Sequence, residues 1–109
     1  MPKSQQYVTT LDEHLRLRTT IETENAIVIH WAVQLELYSP ETEKDWIARY
    51  DTAGGTAHRD RHFIAAHESV PLPEPASTAI VAAQQDLTRY AVEYTEQYLE
   101  AKKLEEKDQ

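Results

Sequence analysis

Between Ile27 and Tyr38 the chain alternates without a break. Ile27, Ile29, Trp31, Val33, Leu35 and Leu37 fall on one parity, and Val28, His30, Ala32, Gln34, Glu36 and Tyr38 on the other. A period of two belongs to an extended strand, whose successive side chains point to opposite faces, and the β-branched content decides against a helix. Residues 27–39 at about 3.3 Å each reach roughly 43 Å, long enough that the strand must twist. Whatever fold the chain adopts is therefore built around a long strand with one apolar face.

The flanking segments extend the pattern. Leu15, Leu17, Thr19 and Ile21 alternate with His14, Arg16, Arg18 and Glu22 and predict a half-buried strand, joined to the long one by a turn at Thr23-Glu24-Asn25. Ser39-Pro40-Glu41 ends the long strand, because proline cannot donate to a ladder. Trp46–Asp51 and Ala57–Ala65 predict two further strands, reversed by Gly54-Gly55, the only glycines of the chain. Residues 1–10 are polar apart from Tyr7 and Val8 and are expected to fray. Residues 67–76 hold Pro71, Pro73 and Pro75 and read as a stiff connector, since each proline drives its predecessor out of the helical region. From a cap at Ser77 or Thr78 to about Glu105, Ile80, Ala83, Leu87, Tyr90, Ala91, Tyr94, Tyr98 and Ala101 recur every three or four residues and predict one long helix. The expected fold is α+β, a single domain in which a twisted four-stranded antiparallel meander over residues 14–66 packs against one C-terminal helix. A single helix over so long a sheet leaves apolar area uncovered, which favours a homodimer. Trp31 is expected in the core and Trp46 at the edge of the sheet. The tyrosines of the helix are expected in the core, with wet hydroxyls.

Composition narrows the function classes. There is no cysteine, which excludes disulfides and a thiolate metal site. No apolar run approaches the roughly 20 residues of a membrane span, and Met1-Pro2-Lys3-Ser4 leads into polar residues, so a cytoplasmic location is expected. The net charge of −8 repels phosphate backbones and disfavours general nucleic-acid binding unless the cations gather locally. Arg49, Arg59 and Arg61 do gather in one short segment.

That segment, Arg49-Tyr50-Asp51 through His58-Arg59-Asp60-Arg61-His62, is the densest polar motif in the chain. If Asp51 pairs with His58 across the turn, Arg49 faces Asp60, and Arg49, Asp51, His58, Asp60 and His62 share one face; a slip of one residue sends Arg49 and Asp51 to the other. Three readings follow. In one, His58 or His62 is a general base, Arg49 stabilises a phosphoryl transition state and Asp51 or Asp60 orients the imidazole, as metal-independent RNA cleavage would require. In another, His58, Asp60 and His62, with His30 as a further candidate, bind a metal through two imidazoles and a carboxylate. In the last, Arg49 and Asp60 make a cross-strand ion pair, Asp51 caps its own turn and the histidines are ordinary strand residues. The residue types favour the last, then catalysis, then a metal, and no cofactor or metal is assigned.

The string Arg49-Tyr50-Asp51-Thr52-Ala53, a glycine turn and then His58-Arg59-Asp60 resembles the signature of a small prokaryotic family in which an Arg-Tyr-Asp turn precedes a histidine-bearing strand. It is also similar to TumE-like toxins, partners of minimal nucleotidyltransferase antitoxins. The resemblance to the small family spans about residues 15–100, and the similarity to the toxins implies a toxin–antitoxin component acting on RNA, with Arg49, Asp51 and His58 in its site. The function expected from all of this is a protein-interaction component of a toxin–antitoxin or regulatory pair. The alternative is a metal-independent ribonuclease-type toxin, for which RNA is a substrate and not a resident ligand.

Overall fold

The computed structural model describes residues 2–39, 43–52 and 56–107. Six strands run in chain order across one antiparallel sheet: β1 Lys3–Thr10, β2 Leu15–Glu24, β3 Ile27–Ser39, β4 Glu43–Asp51, β5 His58–Arg61 and β6 Ala65–Ser69. Two helices, α1 Ala76–Arg89 and α2 Ala91–Lys107, cover one face. The α+β class and the meander are as expected, while the strand count is six and the helix is divided in two.

Each departure has a local cause. Lys3–Thr10, expected to fray, pairs with Thr23–Arg16 of β2 along its whole length. Every residue of that strand is exposed, so it lacks the buried parity that marks a strand in a sequence. The segment expected as one strand over 57–65 is a tight hairpin, because the chain reverses at His62-Phe63-Ile64 with Phe63 at φ 67°. A reversal there is unannounced by any glycine or proline. By contrast, the β2–β3 hairpin turns on Asn25 and Ala26 at φ 53° and 65°, the positive values that match the twist of its strands. His67, expected in the connector, lies in β6. The diglycine turn, Pro40 and any Asx cap by Asp51 fall on or against positions outside the described residues.

The helical layer begins one residue before the expected caps. Pro75 occupies the N-cap position, and no side chain caps the amides of α1. At Tyr90 the backbone leaves helical geometry, with φ −107° and ψ 22°. The bend lets α1 lie on β2 and β3 and α2 on β4. Leu17, Trp31, Val33, Leu35, Ile47, Ala48 and Tyr50 of the sheet meet Ile80, Ala83, Leu87, Tyr94 and Tyr98 of the helices in one core. Each large side chain buried there contributes about 1.5–3 kcal/mol. Two sequence expectations fail at its margins. Ile27 and Ile29 are 66% and 49% exposed, because a bulge at Glu22/Thr23 leaves Ile29 without a partner beyond the reach of the helices. Tyr90, on the predicted stripe, is exposed at the bend.

Trp46, expected at a sheet edge, lies on the interior strand β4. A bulge there aligns Ala48 with Leu35 and Trp46 with Glu36, skipping Ile47. Ile47 and Ala48 both enter the core, while Trp46 and Arg49, three positions apart, share the opposite face.

Candidate functional site

The β4–β5 register decides which side chains meet. Asp51 pairs with His58, Tyr50 with Arg59, Arg49 with Asp60 and Ala48 with Arg61. Arg49, Asp51, His58 and Asp60 therefore project from the face away from the helices. Arg49 Nη2 lies 3.6 Å from Asp60 Oδ2, Arg49 Nε 4.0 Å from Asp51 Oδ2, and His58 Nε2 3.5 Å from Asp60 Oδ2. Arg49 Nη1 also donates to Gln34 Oε1 at 3.3 Å, and its guanidinium lies over the Trp46 ring, 4.7 Å from the centroid. The cross-strand ion pair is present, and the charges of the patch largely satisfy one another.

His62 does not join that group. It follows the end of β5, where its Nδ1 lies 2.8 Å from the Trp46 carbonyl oxygen and 3.5 Å from Asp45 Oδ1. Its ring is stacked between Trp46 and Phe63, at centroid distances of 4.3 and 4.0 Å. Tyr98 of α2 donates its hydroxyl to the same Asp45 carboxylate. His62 thus lines the same open groove of about 500 Å³ as Arg49 and Asp60 but belongs to an aromatic corner at its end. His30 is apart as well, its Nδ1 2.9 Å from Thr52 Oγ1.

His67, read from the sequence as the first residue of the connector and not as a ligand, is the residue the structure adds to the site. Among the described residues, His58, Asp60 and His67 are the one group of three potential metal ligands, with ligand atoms all within 4.8 Å of one another. The His67 backbone is in the left-handed region at φ 56°, uncommon for a residue with a Cβ, and its N–H donates to Asp60 Oδ1 at 2.7 Å. Only the β5–β6 hairpin, hidden in the sequence, brings His67 back over Asp60.

Farther along the same face, Glu36 is fully buried. Its Oε2 accepts from Gln34 Nε2 at 2.5 Å and Arg18 Nε at 3.0 Å, with Lys44 Nζ at 3.5 Å. Arg18 is raised above its ordinary range by that hydrogen bond, against the opposing effect of burial. Arg16 caps the group by lying 4.2 Å above the Tyr38 ring. Arg16, Arg18, Lys44 and Arg49 thus gather on one face of an acidic chain.

The other parity of β5 anchors the sheet to the helices. Arg59 donates to Glu68 Oε1 and to the Tyr94 hydroxyl, and Arg61 holds Glu68 through Nε and Nη2 at 2.8 and 3.0 Å. Hydrogen bonds from Arg61 and then Arg59 hold the Glu68 carboxyl below the ordinary range, outweighing its partial burial. Asp86 Oδ2 accepts from Tyr50 at 2.7 Å and Tyr94 at 2.5 Å. Burial, and then the bond to Asp86, pushes both phenols up. The sequence signal for this network is a lone acid, Asp86, set beside Leu87 on the apolar stripe.

Among the described residues no helix is long and apolar enough to cross a membrane. No curated protein and no solved structure matches the chain. The family model described as "Domain of unknown function (DUF7718)" matches residues 1–104, a span that includes the whole sheet and nearly all of both helices, and the chain therefore belongs to the DUF7718 family.

Proposed function

We propose that the chain is the protein-binding member of a two-protein pair of the toxin–antitoxin or regulatory type, and that it receives an extended segment of a basic partner along the outer edge of β1. The supporting observation is β1 itself: eight residues in unbroken register with β2, all exposed, at the margin of the sheet. Such an edge offers a row of free amides and carbonyls, and natural proteins usually blunt it with charge, proline or a bulge. Here the strand carries one charge, Lys3, in a chain of −8. An added strand takes its affinity from main-chain hydrogen bonds, and the surrounding negative field draws a basic segment in. The test is co-expression with the protein encoded beside it, followed by co-purification and light scattering. A one-to-one complex that is lost in Gln6→Lys/Val8→Lys is expected. A complex indifferent to those changes, or a symmetric homodimer occupying the edge, overturns the reading.

A second reading is favoured by the β4–β5 register, which sets a guanidinium, two carboxylates and an imidazole on one face, as metal-independent RNA cleavage needs. In it Arg49 holds the phosphate and His58, oriented by Asp60, moves the proton. Growth arrest on expression, relieved by His58→Ala, supports it; unimpaired growth together with no cleavage of RNA removes it.

A further inference from the structure

The geometry points to a divalent transition-metal site of the zinc class formed by His58 Nε2, Asp60 Oδ2 and a ring nitrogen of His67. The proposal stands apart from strand addition at β1 and needs no partner. Two of its three ligands are nearly in place. Zinc takes nitrogen and oxygen ligands at about 2.0–2.2 Å in a tetrahedron, which separates neighbouring ligand atoms by roughly 3.3 Å. His58 Nε2 and Asp60 Oδ2 are 3.5 Å apart. The widest separation in the trio, at most 4.8 Å, closes by about 1.5 Å when the exposed His67 ring turns inward, a rotamer adjustment. The His58 and His67 rings already face each other at a centroid distance of 4.8 Å and a tilt of 58°.

Supporting contacts orient these ligands. His58 Nδ1 is 3.3 Å from the Thr56 carbonyl oxygen, so Nδ1 carries the proton and Nε2 is left as the ligand atom. The carboxylate of Asp60 is divided: Oδ1 accepts the His67 amide at 2.7 Å, which leaves Oδ2 on the side of His58. The same hydrogen bond sustains the positive φ of His67, a strained conformation of the kind that clusters at functional sites. His58 and Asp60 are nearly buried and His67 is exposed, so the ion sits at the surface with a position open to water or an exogenous ligand. Arg49, 3.6 Å from the same Asp60 oxygen, is the competing cation; the ion displaces it, and Arg49 keeps Gln34 and Asp51. Zinc and the ribonuclease reading exclude each other, because zinc takes the His58 Nε2 and the Asp60 oxygen through which that reading orients the ring.

The experiment titrates zinc chloride into the EDTA-treated, dialysed full chain, followed by calorimetry and thermal unfolding, with cobalt(II) as the spectroscopic probe. One equivalent is expected to bind, and at about a hundredfold excess over Kd the melting temperature rises by roughly 10 °C. His67→Ala, at an exposed position that leaves the core intact, weakens binding by at least about tenfold. His62→Ala leaves it unchanged, and His67→Cys restores it with a thiolate-to-cobalt absorption band. Binding by His67→Ala within twofold of the wild type, a loss caused by His62→Ala, or no cobalt band in His67→Cys overturns the assignment.

Discussion

Removing the Asp86 carboxylate is expected to loosen the joint between the helices and β4 by about 3 kcal/mol. Asp86 Oδ2 accepts two hydrogen bonds, at 2.7 Å from Tyr50 and 2.5 Å from Tyr94. A hydrogen bond to a charged group contributes about 1.5–3 kcal/mol, and a buried hydroxyl left without a partner costs about 1–3 kcal/mol. In Asp86→Ala the Tyr94 hydroxyl still accepts from Arg59 at 3.1 Å, whereas the Tyr50 hydroxyl, in a residue 2% exposed, loses its acceptor. One orphaned hydroxyl together with the loss of the charged bond from Tyr94 gives the figure stated. Tyr50→Phe removes a donor without stranding another group and is expected to cost about 1–1.5 kcal/mol. The assay is urea unfolding monitored by near-ultraviolet circular dichroism, with the double variant completing a thermodynamic cycle. A coupling energy of at least about 1 kcal/mol between positions 50 and 86 is expected. Asp86→Ala within about 0.5 kcal/mol of the wild type, or strict additivity of the two changes, refutes the reasoning.

Three further outcomes follow from the same contacts. Because Arg61 and Arg59 lower the folded-state value of Glu68, its ionisation stabilises the fold above the ordinary carboxylate value of 4.5, and this is lost as pH falls through the lowered folded value. Glu68→Gln is therefore expected to be less stable than the wild type at neutral pH, with the gap in urea midpoints narrowing as pH falls below 4.5; a constant gap contradicts this. Tyr94 is shifted the other way, raised from 10, so its contribution is complete below that value and lost as pH rises through the folded value. The stability difference between Tyr94→Phe and the wild type should shrink as pH rises above 10, and a difference that widens there contradicts the assignment. Leu87→Ala, at a position with no exposed surface, should cost about 2–5 kcal/mol in the same denaturation assay, and a loss below about 1 kcal/mol would mean the helix does not press on the sheet there.

Legibility in the sequence followed burial. Where one parity is buried and the other is not, as from Leu15 to Ile21 and from Trp31 to Leu35, the alternation announces both the strand and its inner face. Lys3–Thr10 buries neither parity and was indistinguishable from a frayed end. The turn at Phe63 uses a positive φ without the residue types that accommodate it cheaply, which concealed β6 and, with it, the place of His67. The patch itself was half legible. Its four members Arg49, Asp51, His58 and Asp60 depend on one register, which parity arguments allow to be stated as a condition, and the strands meet that condition. His62 lay past the end of β5, where alternation no longer applies, and its ring went to Trp46 and Phe63 instead.

The bulge at Ile47 divides β4 into two halves with independent phase. On its far side Lys44 and Trp46 keep company with Tyr38 and Glu36; on its near side Arg49 and Asp51 answer Asp60 and His58. A one-residue insertion or deletion among Lys44–Ile47 can be absorbed at this dislocation without turning Arg49 over. The same change between Ala48 and Asp51 has no such buffer and inverts the charged cluster toward the helices. Length drift among relatives should therefore be tolerated before Ala48 and purged after it.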